Sequence, residues 1–474
     1  MMAEAPRAVH AFVSGLTFPD VPPEVRHLAG RCVLDLLGVA ASGLATMLSS
    51  IAHAHAVRHF AAGESAPSAR LLFDGRRASL AGATFAGAST IDSFDAHDGH
   101  VLTKGHAGVA LLPALSALAD ASEDDLPGAE FLTTLVVGYE VALRAGIALH
   151  ATAADYHTSG AWNALGVATM AARQWGFDEA MLRHALGIAE YHAPRSQMMR
   201  CIDHPTMLKD GSGWGASCGM SAACLAADGF TGSPAVLLEA AEVGHVWDDL
   251  GDRWRIAELY FKPYPVCRWA QPAVEAALAV RPLLDAARIH RIEVETFEAA
   301  TRLSHAEPAT TEVAQYSLPF PVAAAMVKGL LRPEDLSGPA LRDPAILDLA
   351  RRVELVVAPD LDAEFPAARR ARVRVELSDG RIFKSPTLPA RGDAEAPLSD
   401  REVREKFYEA AEPLLGSLAF GVEKLVGNLA DSGTVGPLLD LILSSPPSSP
   451  EALRDGRSTS VPRSSGPDAE LGRS

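Results

Sequence analysis

Cysteine is scarce in this sequence, and what there is forms no framework. Cys32, Cys201, Cys218, Cys224 and Cys267 are scattered over 474 residues with no CxxC pair among them. An odd count without framework spacing argues against a disulfide-stapled scaffold and for free thiols in a reducing compartment. Basic charge is also short: 42 Lys and Arg face 59 Asp and Glu, a formal net charge of −17. That balance argues against nucleic-acid binding, which favours a basic face. An acidic protein can still hold an anion, provided it concentrates Lys, Arg and His locally. Apolar stretches are broken by charge, Gly or Pro before a membrane-spanning length, so no membrane segment is expected. Met1 to Pro19 has no charged stretch followed by an apolar core, so no signal peptide is expected and the cytoplasm is the default address. Internal repeats, a Gly-rich phosphate loop, a GxSxG elbow and an HExxH motif are all missing.

What is there is mostly helical pattern. After Pro22-Pro23, apolar or small residues fall at Val25, Leu28, Ala29, Cys32, Val33, Leu36, Leu37 and Ala40, the stripe of an amphipathic helix. Ala129 to His150 is apolar nearly all round, which places that helix inside a bundle. Further helices are expected near 78–94, 108–121, 158–175, 178–193 and 212–228, with Gly176 and Gly229 as C-caps. After Pro265 the period changes. Arg288 to Phe297 alternates, Val353 to Val357 is a short apolar run, and Val373, Val375 and Leu377 share one face against Arg372, Arg374 and Glu376 on the other. Asp379-Gly380 offers a hairpin turn before Ile382-Phe383. One helix is expected between these strands, near Pro321 to Leu331.

At 474 residues more than one core is expected, since single cores stop growing at roughly 250–300 residues. The expected organisation is mainly α with a smaller α+β domain: helical over 1–264, α+β over 265–397, and helical again over 398–443. The last piece is too small to fold alone and should rejoin the first. Residues 444–474, rich in Ser, Pro and charge, are expected to form a disordered tail.

Titratable residues gather in four places. Asp92 to His106 holds Asp95, His97, Asp98, His100, Lys104 and His106, either a solvated loop or a functional one. His97-x-x-His100 with its aspartates could also hold a divalent ion, although nothing distant completes a ligand set. Tyr156-His157-Thr158-Ser159-Gly160 opens a helix. There a neutral histidine and free N–H groups suit a base beside a carboxylate, and plain N-capping by Thr158 or Ser159 suits the residues equally. Arg200 to Gly211 includes Lys209, ahead of a helix of small residues where a cation is not favoured by the dipole. It is either there for an anion or an ordinary surface lysine. Phe261 to Gln271 lies at the expected domain join, a preferred place for ligands.

In combination these segments resemble the MmgE/PrpD family, which includes 2-methylcitrate dehydratase, cis-aconitate decarboxylase and iminodisuccinate epimerase. The resemblance covers about residues 10–440. It rests on Ser93-Phe94-Asp95 through His106, His157-Thr158-Ser159-Gly160, Leu208-Lys209-Asp210-Gly211, Gly229-Phe230-Thr231-Gly232, Lys262-Pro263-Tyr264-Pro265 and Gln315-Tyr316-Ser317-Leu318-Pro319-Phe320, six pieces in the family's order. It implies an all-helical domain made from both chain ends, an inserted α+β lid, a homodimer, and cofactor-free, metal-free acid–base chemistry on di- or tricarboxylates in the cleft between them. It places Asp95, His106, His157, Lys209 and Tyr316 where the family keeps active-site groups. Lys104, His97, Arg268, Gln271 and Lys262 are the expected substrate-binding residues.

Two features depart from the family pattern. Its usual Asp-Phe-Asp-Asp-Thr type of motif reads Asp95-Ala96-His97-Asp98-Gly99 here, with an extra residue before His106, and Gln271 stands where decarboxylases carry a lid histidine. Both weigh against decarboxylation. The expected reaction is therefore dehydration of a hydroxy di- or tricarboxylate. His157 or Asp95 would act as base, His106 as acid on the leaving hydroxyl, and Lys209 with Arg268 would neutralise carboxylates. Decarboxylation, epimerisation, a metal-dependent hydrolase on the histidine cluster and a non-catalytic binding protein are the alternatives.

Overall fold

Two hydrophobic cores organise the chain, and the first draws on both of its ends. The computed structural model describes residues 4–64, 66–284, 289–393 and 396–446. The expected tail lies outside the described residues from position 447 onward.

The first core runs from Val9 to Phe261 and resumes from Leu398 to Leu443. At its centre is the helix Gly128–Thr152, whose Phe131, Leu135, Val137, Val141 and Ala145 are fully enclosed. At 25 residues it is long and apolar enough to cross a bilayer, against the expectation that no stretch reaches that length. Its polar groups are spaced widely enough to leave an apolar window, and neighbouring helices wrap that window. Glu140 and Arg144, one turn apart, pair with each other inside the bundle at 3.6 Å.

Small residues set the closest helix contacts. The helix Ser212–Ala227 packs across Gly160–Gln174, and a Cβ on Gly219 would come 2.2 Å from the Ala164 carbonyl oxygen. The small-residue face is thus a helix–helix contact. The helix Asp400–Leu415, opened by a Ser399–Glu402 capping box, lies along Pro23–Gly43 with Phe407 against Gly38. Lys406 from this late helix donates to Asp35 and to the Ala96 carbonyl, both at 2.6 Å, and so reaches the loop that follows Asp92.

The second core runs from Tyr264 to Leu377 and takes in Cys201 and Ile202 from the short helix Met198–Asp203. Its sheet has the strand order Val353–Val357, Ile289–Thr296, Arg370–Leu377, Ile382–Lys384, with Leu388–Pro389 also pairing Arg370–Leu377. Only the first pair is parallel; the rest are antiparallel. Ile292 faces Val375 and Val294 faces Val373, so the alternation read in the sequence puts one side of both strands inward. Helices Gln271–Val280 and Pro319–Lys328 pack with this sheet in the second core.

The periodicity did not disclose helices Glu4–Gly15, Met47–His59, Gln271–Val280 and Leu418–Gly427. Nor did it disclose a two-residue strand pair that matters for the site. Gly99 and His100 pair with Tyr260 and Leu259, binding the histidine-rich loop to the segment leading into the second core.

Candidate active site

The titratable groups between Ser93 and His106 are largely enclosed rather than solvated: Asp95, His97, Asp98, His100 and His106 are all buried. Buried charge must find partners, and each contact here follows from that need. Asp95 accepts from the Lys262 ammonium, and its own N–H donates to Gln315 Oε1 at 2.8 Å. Burial pushes the Asp95 carboxyl up. Lys262, His106, Lys209 and His97 outweigh it and hold the group well below the usual carboxylate range. The Lys262 ammonium is destabilised by burial, but Asp95 more than restores it, so the pair stays charged.

His106 has its tautomer fixed by its partner. Its Nδ1 faces the backbone carbonyl of Asp98 at 2.5 Å, and a carbonyl only accepts, so Nδ1 carries the proton. The lone pair is left on Nε2, 3.8 Å from Asp95 Oδ1. Burial, then Lys262 and His97, push the imidazole well below its ordinary value, so it is neutral at pH 7. Gly99 makes room for this ring: a Cβ there would come 2.9 Å from His106 Nδ1 and 2.3 Å from the Tyr260 hydroxyl.

Asp98 is held in place by Tyr139. Its Oδ2 accepts from Tyr139 at 2.5 Å, and burial raises its pKa to about 6. Ser159 stands at the start of the helix Gly160–Gln174, yet its hydroxyl does not cap that helix. It accepts the His106 N–H at 2.8 Å and donates to Asp210. Burial, with Asp92 close by, raises the Asp210 carboxyl well above its ordinary value and so favours its protonated form.

These groups border a cavity between the helical part and the α+β part. Asp95, Lys104, His106, Tyr156, Asp210 and Tyr260 come from one side. Cys267, Arg268, Trp269, Tyr316, Phe365 and Arg369 come from the other. Lys104 stands 3.8 Å over the Tyr156 ring and Arg268 the same distance over Tyr260. Arg268 also pairs with Asp393. Burial and then Arg268 push the Arg369 guanidinium down to about 10, still a cation at pH 7. With Asp95 matched by Lys262 and Arg268 by Asp393, Lys104 and Arg369 leave the lining with an excess of positive charge. An acidic protein has gathered its cations in one place.

Of the ten residues expected from the sequence, Asp95, His106, Tyr316, Lys104 and Arg268 are on the wall. Lys209, Lys262 and His97 stand one layer behind. Lys209 donates to Gln315 Oε1 at 2.6 Å and lies 5.0 Å over the Tyr316 ring. His97 packs edge-on at 4.3 Å from the His106 ring, with Nε2 3.4 Å from Asp92. His157 is half-buried and off the wall, its Nδ1 facing the Asp155 carbonyl at 3.0 Å. Gln271 is also off the wall: its amide donates to the Tyr264 and Val266 carbonyls, bracing the turn of Lys262-Pro263-Tyr264-Pro265.

Three functional candidates escaped the sequence reading. Asp210 and Gln315 lay inside segments already singled out, one residue from Lys209 and Tyr316. Arg369 lay outside all of them, but its signal was present, because it shares the odd-numbered parity of Val373, Val375 and Leu377, the inward face.

A metal could draw on Asp95, His97 and His106, whose ligand atoms lie within 4.8 Å of one another. Against that, the Asp95 carboxylate already holds the Lys262 ammonium and Lys209 stands close by, so a divalent cation would enter a positive field.

Sequence comparison adds a separate line of observation. Residues 7–247 match the MmgE/PrpD N-terminal domain and residues 264–425 the MmgE/PrpD C-terminal domain. Among similar proteins, cis-aconitate decarboxylase of Homo sapiens is 28% identical over 397 residues, covering 78% of this chain and 80% of that protein. The Mus musculus cis-aconitate decarboxylase is 25% identical, with 90% and 91% covered. That of Aspergillus terreus is 23% identical, with 91% and 94% covered.

Proposed function

As the chain belongs to the MmgE/PrpD family, we propose that it is a lyase that moves a proton beside one carboxylate of a small di- or tricarboxylate. The observation that carries this reading is the His106 imidazole, neutral and with Nε2 free, in a cavity whose opposite wall supplies cations. Nε2 takes the proton from the carbon next to a substrate carboxylate. The charge that develops spreads into that carboxylate, where nearby cations stabilise it. Asp210, whose carboxyl is biased toward the protonated form by burial, then gives its proton to the departing hydroxyl, and Tyr316 faces it from the other wall as a neutral hydrogen-bond donor. His106 thereby takes the base role that the sequence assigned to His157 or Asp95. Asp95 remains paired with Lys262, which sets the field around the imidazole. All of the proton chemistry is carried by the chain's own side chains.

Dehydration is the first reading, because a neutral base and a separate protonated acid suit an elimination. Decarboxylation is the second, supported by the activity in the names of the relatives; there Asp210 would protonate the carbon from which carbon dioxide leaves. A homodimer belongs to the same reading. Ile51, Met207, Leu208 and Trp214, all exposed, surround one apolar groove, and the mass in solution by light scattering tests it.

The reaction is tested by NMR in heavy water with 2-methylcitrate, citrate and cis-aconitate. Deuterium entering a carbon beside a carboxylate is expected, with an olefin forming for dehydration or carbon dioxide released for decarboxylation. No exchange and no product with any of the three would overturn the reading.

A further inference from the structure

Arg369 immediately precedes the strand Arg370–Leu377 and continues its inward face, on which Ala371, Val373, Val375 and Leu377 are buried. Side chains alternate along a strand with period two, so this parity carries the guanidinium into the protein. It is 7% exposed and lines the cavity, and its Nε and Nη1 have no hydrogen-bond partner among the described residues. Arg268 on the same wall pairs directly with Asp393, whereas Arg369 feels that carboxylate only at longer range and stands 5.7 Å over the Phe365 ring. Burying a guanidinium without a partner is strongly unfavourable. Arg268 on the same wall and Lys104 across the cavity add repulsion to that burial: burial and then Arg268 lower the Arg369 pKa, and burial and then Arg369 lower that of Lys104.

The fork of an arginine matches a carboxylate through two parallel hydrogen bonds, and no described residue engages the Nε or Nη1 of this guanidinium, which lines the cavity. This cationic group is set apart from the proton-transfer group. The Arg268 guanidinium stacks on Tyr260, whose ring centroid is 6.5 Å from that of His106. A ligand that reaches both must carry its anchoring carboxylate some bonds away from the carbon whose proton moves.

We propose that Arg369, assisted by Lys104, binds the substrate carboxylate that does not react, and is the residue that makes a second carboxylate obligatory. This rests on the polycarboxylate lyase reading and deepens it. Arg369 acts on binding, so its loss should appear in KM far more than in kcat. Charge-assisted hydrogen bonds of this kind correspond to roughly 10- to 100-fold in affinity.

The test is calorimetric titration of the full chain and its Arg369→Gln variant with tricarballylate. That tricarboxylate has neither hydroxyl nor double bond and so undergoes neither dehydration nor decarboxylation. The expected result is roughly 10- to 100-fold weaker binding by the variant, partly recovered in Arg369→Lys. On the reacting substrate the KM should rise to match, with kcat within a few-fold. A purely structural arginine would lower the ligand-free melting temperature when removed. An unpaired buried one should leave it level or raise it. Unchanged affinity in Arg369→Gln, or a variant that loses affinity only together with a marked drop in melting temperature, overturns the assignment of Arg369. Absence of binding by the wild-type chain to tricarballylate, citrate and succinate alike would instead overturn the polycarboxylate reading, and this inference with it.

Discussion

The Lys209 ammonium lies 2.6 Å from Oε1 of Gln315, and the same oxygen accepts the Asp95 N–H at 2.8 Å. Gln315 comes from the α+β part, whereas Lys209 and Asp95 belong to the helical part. Its amide nitrogen completes the link by donating to the Ser93 carbonyl at 3.0 Å. One side chain thus sets the distance between the two walls of the cavity. It also explains how Lys209 tolerates burial ahead of a helix with a left-handed φ of 48°, a strained conformation for a residue with a Cβ.

Gln315→Ala should therefore disturb the site more than the fold. It leaves a buried N–H, a buried carbonyl and an ammonium short of partners, each costing about 1–3 kcal/mol where water cannot enter. Urea unfolding should show a loss of a few kcal/mol, and kcat/KM should fall by at least about tenfold as Lys209 and Asp95 lose their shared anchor. Stability and turnover both within error of wild type would mean that Gln315 positions neither group.

The pH dependence of turnover follows from His106. Burial and the Lys262 charge depress its folded pKa well below 6.5, so the imidazole stays neutral as pH falls through the value at which an exposed histidine takes up a proton. The acid limb of kcat/KM should accordingly lie well below 6.5. The same shift bears on stability. An unfolded chain binds the histidine proton near 6.5 and the folded one does not, so this group destabilises the fold progressively as pH drops below 6.5. A rate profile with an acid midpoint at 6.5 would count against His106 as the base.

Asp95 and Lys262 bring the opposite sign. The Asp95 carboxyl is depressed in the folded state, so its contribution is present above the unfolded aspartate pKa near 3.9 and is lost as pH falls through its lower folded value. Lys262→Met removes the ammonium and leaves a carboxylate buried, a change that costs about 3–5 kcal/mol in comparable buried pairs. Asp95→Asn combined with Lys262→Met should recover part of that loss, because no net charge then remains buried. Denaturation of the two single variants and the double variant forms the cycle, and strict additivity would show that the pair is not coupled.

Much of this architecture was legible because it depends on local period. The helix Pro23–Gly43 and the strands Ile289–Thr296 and Arg370–Leu377 each show the spacing of their buried face. The site was legible only as composition. Asp95, His97 and His106 announce a titratable cluster, but which of them reaches the cavity depends on contacts with Lys262 and Gln315, 167 and 220 residues away from Asp95. His157 shows the limit most clearly. Its position at the mouth of a helix suggested a base, but the first turn of that helix gives the position to Ser159, which spends its hydroxyl on Asp210. Arg369 could have been found by extending the strand parity one step, since a cation on an inward face needs an anion to explain it.

Gly99 ties the strand pairing to the chemistry. It pairs with Tyr260 in the short strand that closes the histidine loop, and a methyl group there would come 2.9 Å from His106 Nδ1. The hydrogen bond from Nδ1 to the Asp98 carbonyl is what presents Nε2 to the cavity, so a small displacement of the ring removes the base from its working position. Gly99→Ala should cost only about 1–3 kcal/mol of stability, the range for overpacking. The kcat should fall about 100-fold or more, as expected when a general base is lost. Binding of tricarballylate should survive, because Arg369 and Lys104 are untouched. An alanine variant that turns over at the wild-type rate would show that the loop has slack beside His106, and the tautomer fixed by Asp98 would lose its catalytic meaning.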